Sequence, residues 1–205
     1  MAERIRKFIL ATRNRGKLKE IREMLADLPF EVLSMEDAGI FESIEESGNT
    51  FEENALIKAR KVSGIAGEIA MADDSGLEVD FLDGKPGVRS SRFAGEGASD
   101  RDRNDKLLRL LEGVPFDKRN ARFVCAVAVA FPDGRHFTAR GCCEGFISLS
   151  ARGENGFGYD PIFYLPEYNM TMAQLSSGEK NRISHRGKAL RLMVEELKRQ
   201  QWAGG

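Results

Sequence analysis

Residues 121–131 set the frame for the rest of the chain. Ala121, Phe123, Cys125, Val127, Val129 and Phe131 alternate on one face, while Val124, Ala126, Ala128 and Ala130 fill the other. A strand that is apolar on both sides is stable inside a sheet covered on both faces, so the predicted fold class is α/β. Pro132-Asp133-Gly134-Arg135 then reads as a hairpin turn, with residues 136–144 returning antiparallel. A mixed sheet follows.

Around this strand the remaining elements fall in sequence. Ile5 to Ala11 reads as a buried strand, broken by Thr12-Arg13-Asn14-Arg15-Gly16-Lys17. Leu18, Ile21, Leu25 and Leu28 then recur at helical spacing. A strand, a polar turn and a helix start place backbone N–H groups where an anion can dock, and Lys17 with two arginines adds positive charge. The turn is not a Walker A loop, because the Gly-Lys-Ser/Thr ending is absent. Phe30 to Leu33 reads as a second strand, and residues 35–49 as an irregular acidic loop carrying Glu45 and Glu46. Thr50 and Glu53 match a capping box opening a helix with Phe51, Ala55, Ala59 and Val62 on one face and Gly64 at its end. A third helix is expected from Ser99, and Pro161-Ile162-Phe163-Tyr164 reads as another short strand.

Three stretches point to chemistry. The apolar run Ile69 to Ala72 reads as the end of a strand, followed by Asp73-Asp74-Ser75-Gly76 and a new alternating segment from Leu77 to Phe81. Two adjacent anions at a strand mouth persist most easily where a cation or shared proton offsets their repulsion, although an exposed turn would also suit them. The loop from Arg152 to Asp160 sets Phe157 between glycines, a place better suited to stacking on a flat ligand than to core packing. The segment from Ser176 to Leu197 predicts a closing helix capped by Ser184, with Ala189, Leu190, Met193, Val194 and Leu197 on its apolar face. Its first turn carries His185, Arg186 and Lys188. Cations there oppose the helix dipole by roughly 0.3–1 kcal/mol each, so an anion or a carbonyl oxygen is expected beside them.

The composition narrows the classes. Lys+Arg 31 against Asp+Glu 32 leaves a net charge of -1, so no global basic field draws the chain to nucleic acid. The three cysteines have no zinc or redox spacing. No signal peptide and no long apolar run is visible, so no membrane partner is expected and a cytoplasmic location is. At 205 residues the chain suits one domain, 1–205, with two lobes.

Five stretches carry a family resemblance: Thr12-x-Asn14-x-x-Lys17, Glu45-Glu46-x-Gly48-x-Thr50-Phe51-x-Glu53-Asn54-Ala55, Asp73-Asp74-Ser75-Gly76-Leu77, Phe157-Gly158-Tyr159-Asp160-Pro161 and Ser184-His185-Arg186-Gly187. In order and spacing they resemble the inosine triphosphate pyrophosphatase family, which includes the bacterial dITP/XTP pyrophosphatases. The resemblance spans Phe8 to about Leu197. It departs at Arg152-Gly153-Glu154-Asn155-Gly156, where many relatives carry a Gly-Thr-Gly-Gly turn. The resemblance implies an elongated two-lobed α/β fold around a long mixed sheet flanked by helices, with the active site in the cleft between the lobes. It also implies a homodimer, Mg²⁺ dependence, and hydrolysis of non-canonical purine triphosphates (ITP, dITP, XTP) to monophosphate and pyrophosphate.

On this resemblance the expected roles are specific. Glu45 or Glu46 with Asp74 would hold Mg²⁺, Asp74 would also be the general base, and Asp73 would orient it or join the metal through water. Thr12, Arg13, Asn14, Arg15, Gly16, Lys17 and Ser75 would grip the triphosphate, with Lys58 as a further cation. Phe157, with Gly158, Tyr159, Asp160 and Lys180, would form the base pocket. Donors from His185 and Arg186 would meet the O6 acceptor that distinguishes hypoxanthine and xanthine from adenine. The competing readings are a pyrophosphatase for other nucleotides and a nucleotide-binding regulator without turnover. Paired carboxylates count against the second.

Overall fold

The computed structural model describes residues 6–26 and 29–202; Ile5 and Leu28, expected in the first strand and helix, lie outside the described residues. Seven strands of the described residues form one sheet: β1 (Arg6–Leu10), β2 (Phe30–Ser34), β3 (Ile69–Val79), β4 (Asn120–Ala130), β5 (His136–Ile147), β6 (Phe163–Leu165) and β7 (Met170–Thr171). Their order is β2-β1-β3-β4-β5-β6-β7. β1 is parallel to β2 and β3, whereas β6 is antiparallel to β5 and β7. The short link between Ala130 and His136 is too brief for a parallel crossover, so neighbours β4 and β5 are antiparallel. The sheet is mixed and the fold α/β. β4 lies inside the sheet with every residue from Val124 to Val129 fully buried, as its two apolar faces require.

Among the described residues, five α-helices accompany the sheet: α1 (Arg15–Leu25), α2 (Phe51–Ala66), α3 (Asp100–Leu110), α4 (Ser177–Ile183) and α5 (His185–Trp202). The chain divides into two compact units, residues 1–74, 125–141 and 186–205, and residues 75–124 with 142–185. In the first, Ile21 and Leu25 of α1 and Ala189, Leu190, Met193 and Leu197 of α5 pack on Phe8, Leu10, Ile69, Met71, Cys125, Val127 and Val129. In the second, Leu107 and Leu111 pack with Leu77, Val79, Phe123, Ile147 and Phe163. Each Val, Leu, Ile, Phe or Met among them contributes roughly 1.5–3 kcal/mol by leaving water. Among the described residues, no helix is long and apolar enough to cross a membrane.

The structure redraws several boundaries. Residues 69–79 are one continuous strand, so Asp73 and Asp74 lie within β3 instead of in a turn at its mouth. The strand stops at Val79, and Phe81 is exposed in a short 3-10 turn. The capping box of Thr50 and Glu53 is present, but α2 runs through Gly64 to Ala66 and ends at Gly67, which takes the left-handed conformation (φ 64°). Residues 160–162 are a 3-10 turn, leaving only 163–165 as strand. Ser176 to Leu197 holds two helices: Ser176 caps α4, and Ser184, in extended conformation, ends α4 where α5 begins.

Candidate active site

Neighbouring residues of a strand point to opposite faces of its sheet, and this separates the two aspartates. Asp73, fully buried, turns toward α1 and α5. Its Oδ2 lies 3.0 Å from Lys17 Nζ, 3.2 Å from Arg186 Nε and 3.9 Å from Cys125 Sγ. Burial alone would push its carboxyl up, but Lys17, Arg186 and Lys58 outweigh that and hold it well below the usual carboxylate range. Burial and the Asp73 charge push the Cys125 thiol up to about 12, so it is no nucleophile. β1 brings Lys17 here: Leu10 pairs with Met71, and Ala11 N donates to Met71 O at 2.7 Å, so the turn into α1 starts two residues from Asp73 along β3.

Asp74 turns toward α2. Asn54 Nδ2 donates to its Oδ2 at 3.1 Å, and Lys58 Nζ stands 3.7 Å from its Oδ1. The same ammonium bonds Glu46 Oε1 at 2.6 Å and the Asp73 carbonyl at 2.8 Å. Burial pushes Asp74 up; Lys58, Lys17 and Asn54 pull it down, Glu46 pushes it up, and it settles above its ordinary value. Burial pulls Lys58 down, but Asp74, Asp73 and Glu46 outweigh this and keep its ammonium charged. The acidic loop reaches Lys58 because Gly48 lies flat against α2. A Cβ there would meet Glu53 Cβ at 2.7 Å and Asn54 Oδ1 at 2.8 Å. Glu45 is exposed and has no ion pair among the described residues.

The first turn is partly occupied by its own architecture. Asn14 caps α1, accepting from Lys17 N at 3.1 Å, and Thr12 Oγ1 accepts from Asn14 N at 3.2 Å. Arg13 Nη2 donates to the carbonyls of Phe41 and Glu42, tying this turn to the acidic loop. Arg15 is exposed and Gly16 half-buried at the start of α1, and Ser75 follows Asp74 half-buried on β3. The cations opening α5 find the protein's own anions: Arg186, 2% exposed, pairs with Asp73 and with Glu20 Oε2 at 2.5 Å. Both of these carboxylates belong to the same compact unit as its guanidinium.

The second unit holds a separate cluster. Lys180 Nζ bonds Asp160 Oδ2 at 2.6 Å, both side chains buried, and stands 4.5 Å from the centre of the Phe157 ring. Phe157 N donates to Asp160 Oδ2 at 2.9 Å. Tyr159, buried, sends its hydroxyl to Ser90 O at 2.9 Å. His185, buried, stacks on Phe123 with centroids 4.7 Å apart.

Among the described residues no three His, Cys, Asp or Glu side chains come together as a metal cage. Glu45 is exposed, and Asp73 pairs with Lys17 and Arg186. What remains is Glu46 and Asp74 facing one positive charge, the Lys58 ammonium. That donor set fits Mg²⁺, which takes one or two carboxylates and completes its shell with water and phosphate oxygens.

A family model described as the Ham1 family matches residues 8–196. The chain belongs to the Ham1 family. A Desulforamulus reducens protein named dITP/XTP pyrophosphatase is 54% identical over 94% of this chain and 96% of its own length. One of the same name from Geobacter sulfurreducens is 52% identical, over 93% and 96%. The solved HAM1 protein of Coxiella burnetii matches with a TM-score of 0.87 at 42% identity, covering 95% of this chain and 100% of that one. The Staphylococcus aureus Ham1 protein gives 0.85 and 39%, covering 95% and 100%.

Two partners in this Ham1 chain had no role assigned from the sequence, Asn54 and Glu20. Asn54 and Lys58 stand four apart on α2, both buried beside its apolar stripe. A polar i, i+4 pair against an apolar face was the available signal. Glu20, three residues after Lys17, had no comparable mark, because only the fold brings Arg186 to it.

Proposed function

We propose that the protein hydrolyses non-canonical purine nucleoside triphosphates, ITP, dITP and XTP, to the monophosphate and pyrophosphate, and so cleanses the nucleotide pool. Membership of the Ham1 family and the names of its relatives support the reaction. The observation that carries the reading is Asp74, a buried carboxylate raised above its ordinary value and aimed by Asn54 and Lys58. A base placed closer to neutrality is better matched to taking a proton from water. Asp74 is the general base, and with Glu46 it would hold Mg²⁺. Bound there, the ion would neutralise charge at the α-phosphorus and on departing pyrophosphate.

Lys17, fixed by Asp73, and the N–H groups opening α1 grip the phosphate chain. Lys58 adds charge between Glu46 and Asp74. Asp73 acts as an orienter of Lys17 and Arg186, not as a ligand. The base falls to Phe157, backed by Lys180 and Asp160. The enzyme works in the cytoplasm as a homodimer, a single domain of two lobes. A panel of ITP, dITP, XTP, ATP, GTP and pyrimidine triphosphates, with pyrophosphate detection, tests this in Mg²⁺ and in EDTA. Preference for the first three, lost in EDTA, is expected. Equal turnover of ATP, or activity untouched by EDTA, refutes it.

A further inference from the structure

The loop carrying Phe157 has little stiffness of its own. Gly153, Gly156 and Gly158 all take positive φ, and residues 151–156 are exposed. Helix α3 grips it from outside. Asp100 Oδ2 accepts from Gly158 N at 2.7 Å, and Asn104 Nδ2 donates to Gly158 O at 3.1 Å. Residues four apart share one face of a helix, so both polar groups of Gly158 are held by one rigid element. Arg103 braces the grip, bonding Asp100 Oδ1 as well as the carbonyls of Ser91 and Ala98.

Asn104 carries a second mark. It is 5% exposed, and its Oδ1 is buried with no hydrogen-bond partner among the described residues. An orphaned amide oxygen is costly, and a leucine would bury more cheaply at such a position. What the asparagine supplies in return is its Nδ2 bond to Gly158. The ring next to Gly158 is Phe157, whose own N–H is fixed by Asp160.

We infer that Asp100 and Asn104 are positioning residues for recognition of the nucleobase, acting through Gly158 on the Phe157 ring. This rests on the reading of Phe157 as the surface on which a purine stacks. Helix α3 thereby sets the ring before substrate arrives, and the ordering of a glycine loop is not left to the binding step.

The test compares wild type with Asp100→Ala, Asp100→Asn and Asn104→Leu. Steady-state kinetics with ITP are set beside inhibition by inorganic triphosphate, a probe with the phosphate chain and no base. Asp100→Ala and Asn104→Leu are expected to raise KM for ITP about tenfold, within the range of a weakened base–aromatic stack, with kcat nearly unchanged. The inhibition constant of inorganic triphosphate should stay at the wild-type value. Asp100→Asn, which keeps an acceptor oxygen for Gly158 N, should recover most of the KM. Asp100→Ala decides the matter alone if Asn104→Leu does not fold. Unchanged KM in an enzyme that turns over ITP, or weakening of ITP and inorganic triphosphate together, overturns the inference. Wild type without ITP turnover instead refutes the purine reading beneath it, and the inference falls with that reading.

Discussion

The Lys17 ammonium stands 3.0 Å from Asp73 Oδ2, an ion pair sealed between the start of α1 and the middle of β3. Arg186 meets the same oxygen at 3.2 Å. Asp73→Asn keeps the shape and removes the charge, leaving buried Arg186 and half-buried Lys17 short of an anion, a loss of about 3–5 kcal/mol at neutral pH. The folded carboxyl is held below its unfolded value of about 3.9. Its stabilisation is therefore complete above about pH 4 and lost as pH falls through the lower folded value. Urea unfolding of wild type and variant should show a wide gap at pH 7 that begins to close below about pH 4; a gap independent of pH would show that folding does not shift the Asp73 carboxyl.

Asp74→Asn retains the hydrogen bond from Asn54 in shape but cannot take a proton. Turnover of ITP should fall by at least ~10²-fold, the scale of a lost general base. Calorimetric binding of ITP measured without Mg²⁺, where the metal ligand role of Asp74 plays no part, should change little. Near-normal turnover would remove Asp74 from the base role.

Glu46 and Glu45 are neighbours in sequence, yet only Glu46 reaches Lys58. Glu46→Gln should raise the Mg²⁺ concentration for half-maximal activity about tenfold or more, as loss of one of two hard ligands implies. Glu45→Gln should leave it unchanged. A Mg²⁺ titration in which Glu45→Gln alone shifts would reverse the assignment.

If Arg186 meets O6 of the base, Arg186→Ala narrows the preference for ITP over ATP. With Arg186 buried against Asp73 and Glu20, the expected result is different. The ratio of kcat/KM for ITP over ATP should hold, while kcat and melting temperature both fall. A narrowed ratio would return the arginine to base recognition.

Legibility followed the reach of each signal. Residues 121–131 were readable because ten of eleven consecutive positions, all but Arg122, are apolar and fill two faces. The capping box of α2 was readable because Thr50 and Glu53 carry it locally, but its end was not. Gly64 and Gly67 look alike in sequence, and only Gly67 takes the left-handed turn. α4 has seven residues and β7 two, too few for either period to show, although Ser176 and Glu179 do form a capping box. At the site, the residue types were legible and their partners were not. Asp73 and Asp74 look like twins until β3 is known to run through both. Arg186 looked like a cation awaiting a ligand because Glu20, its internal partner, is 166 positions away.

The pleat of β3 also makes its length unforgiving. One residue inserted between Ala70 and Asp73 would turn each later side chain through the sheet, sending Asp74's carboxylate among the hydrophobic helices and Asp73's toward Lys58. Spacing in this strand therefore matters as much as the identity of the two aspartates, and a frame-preserving deletion of one residue here would leave an inert protein.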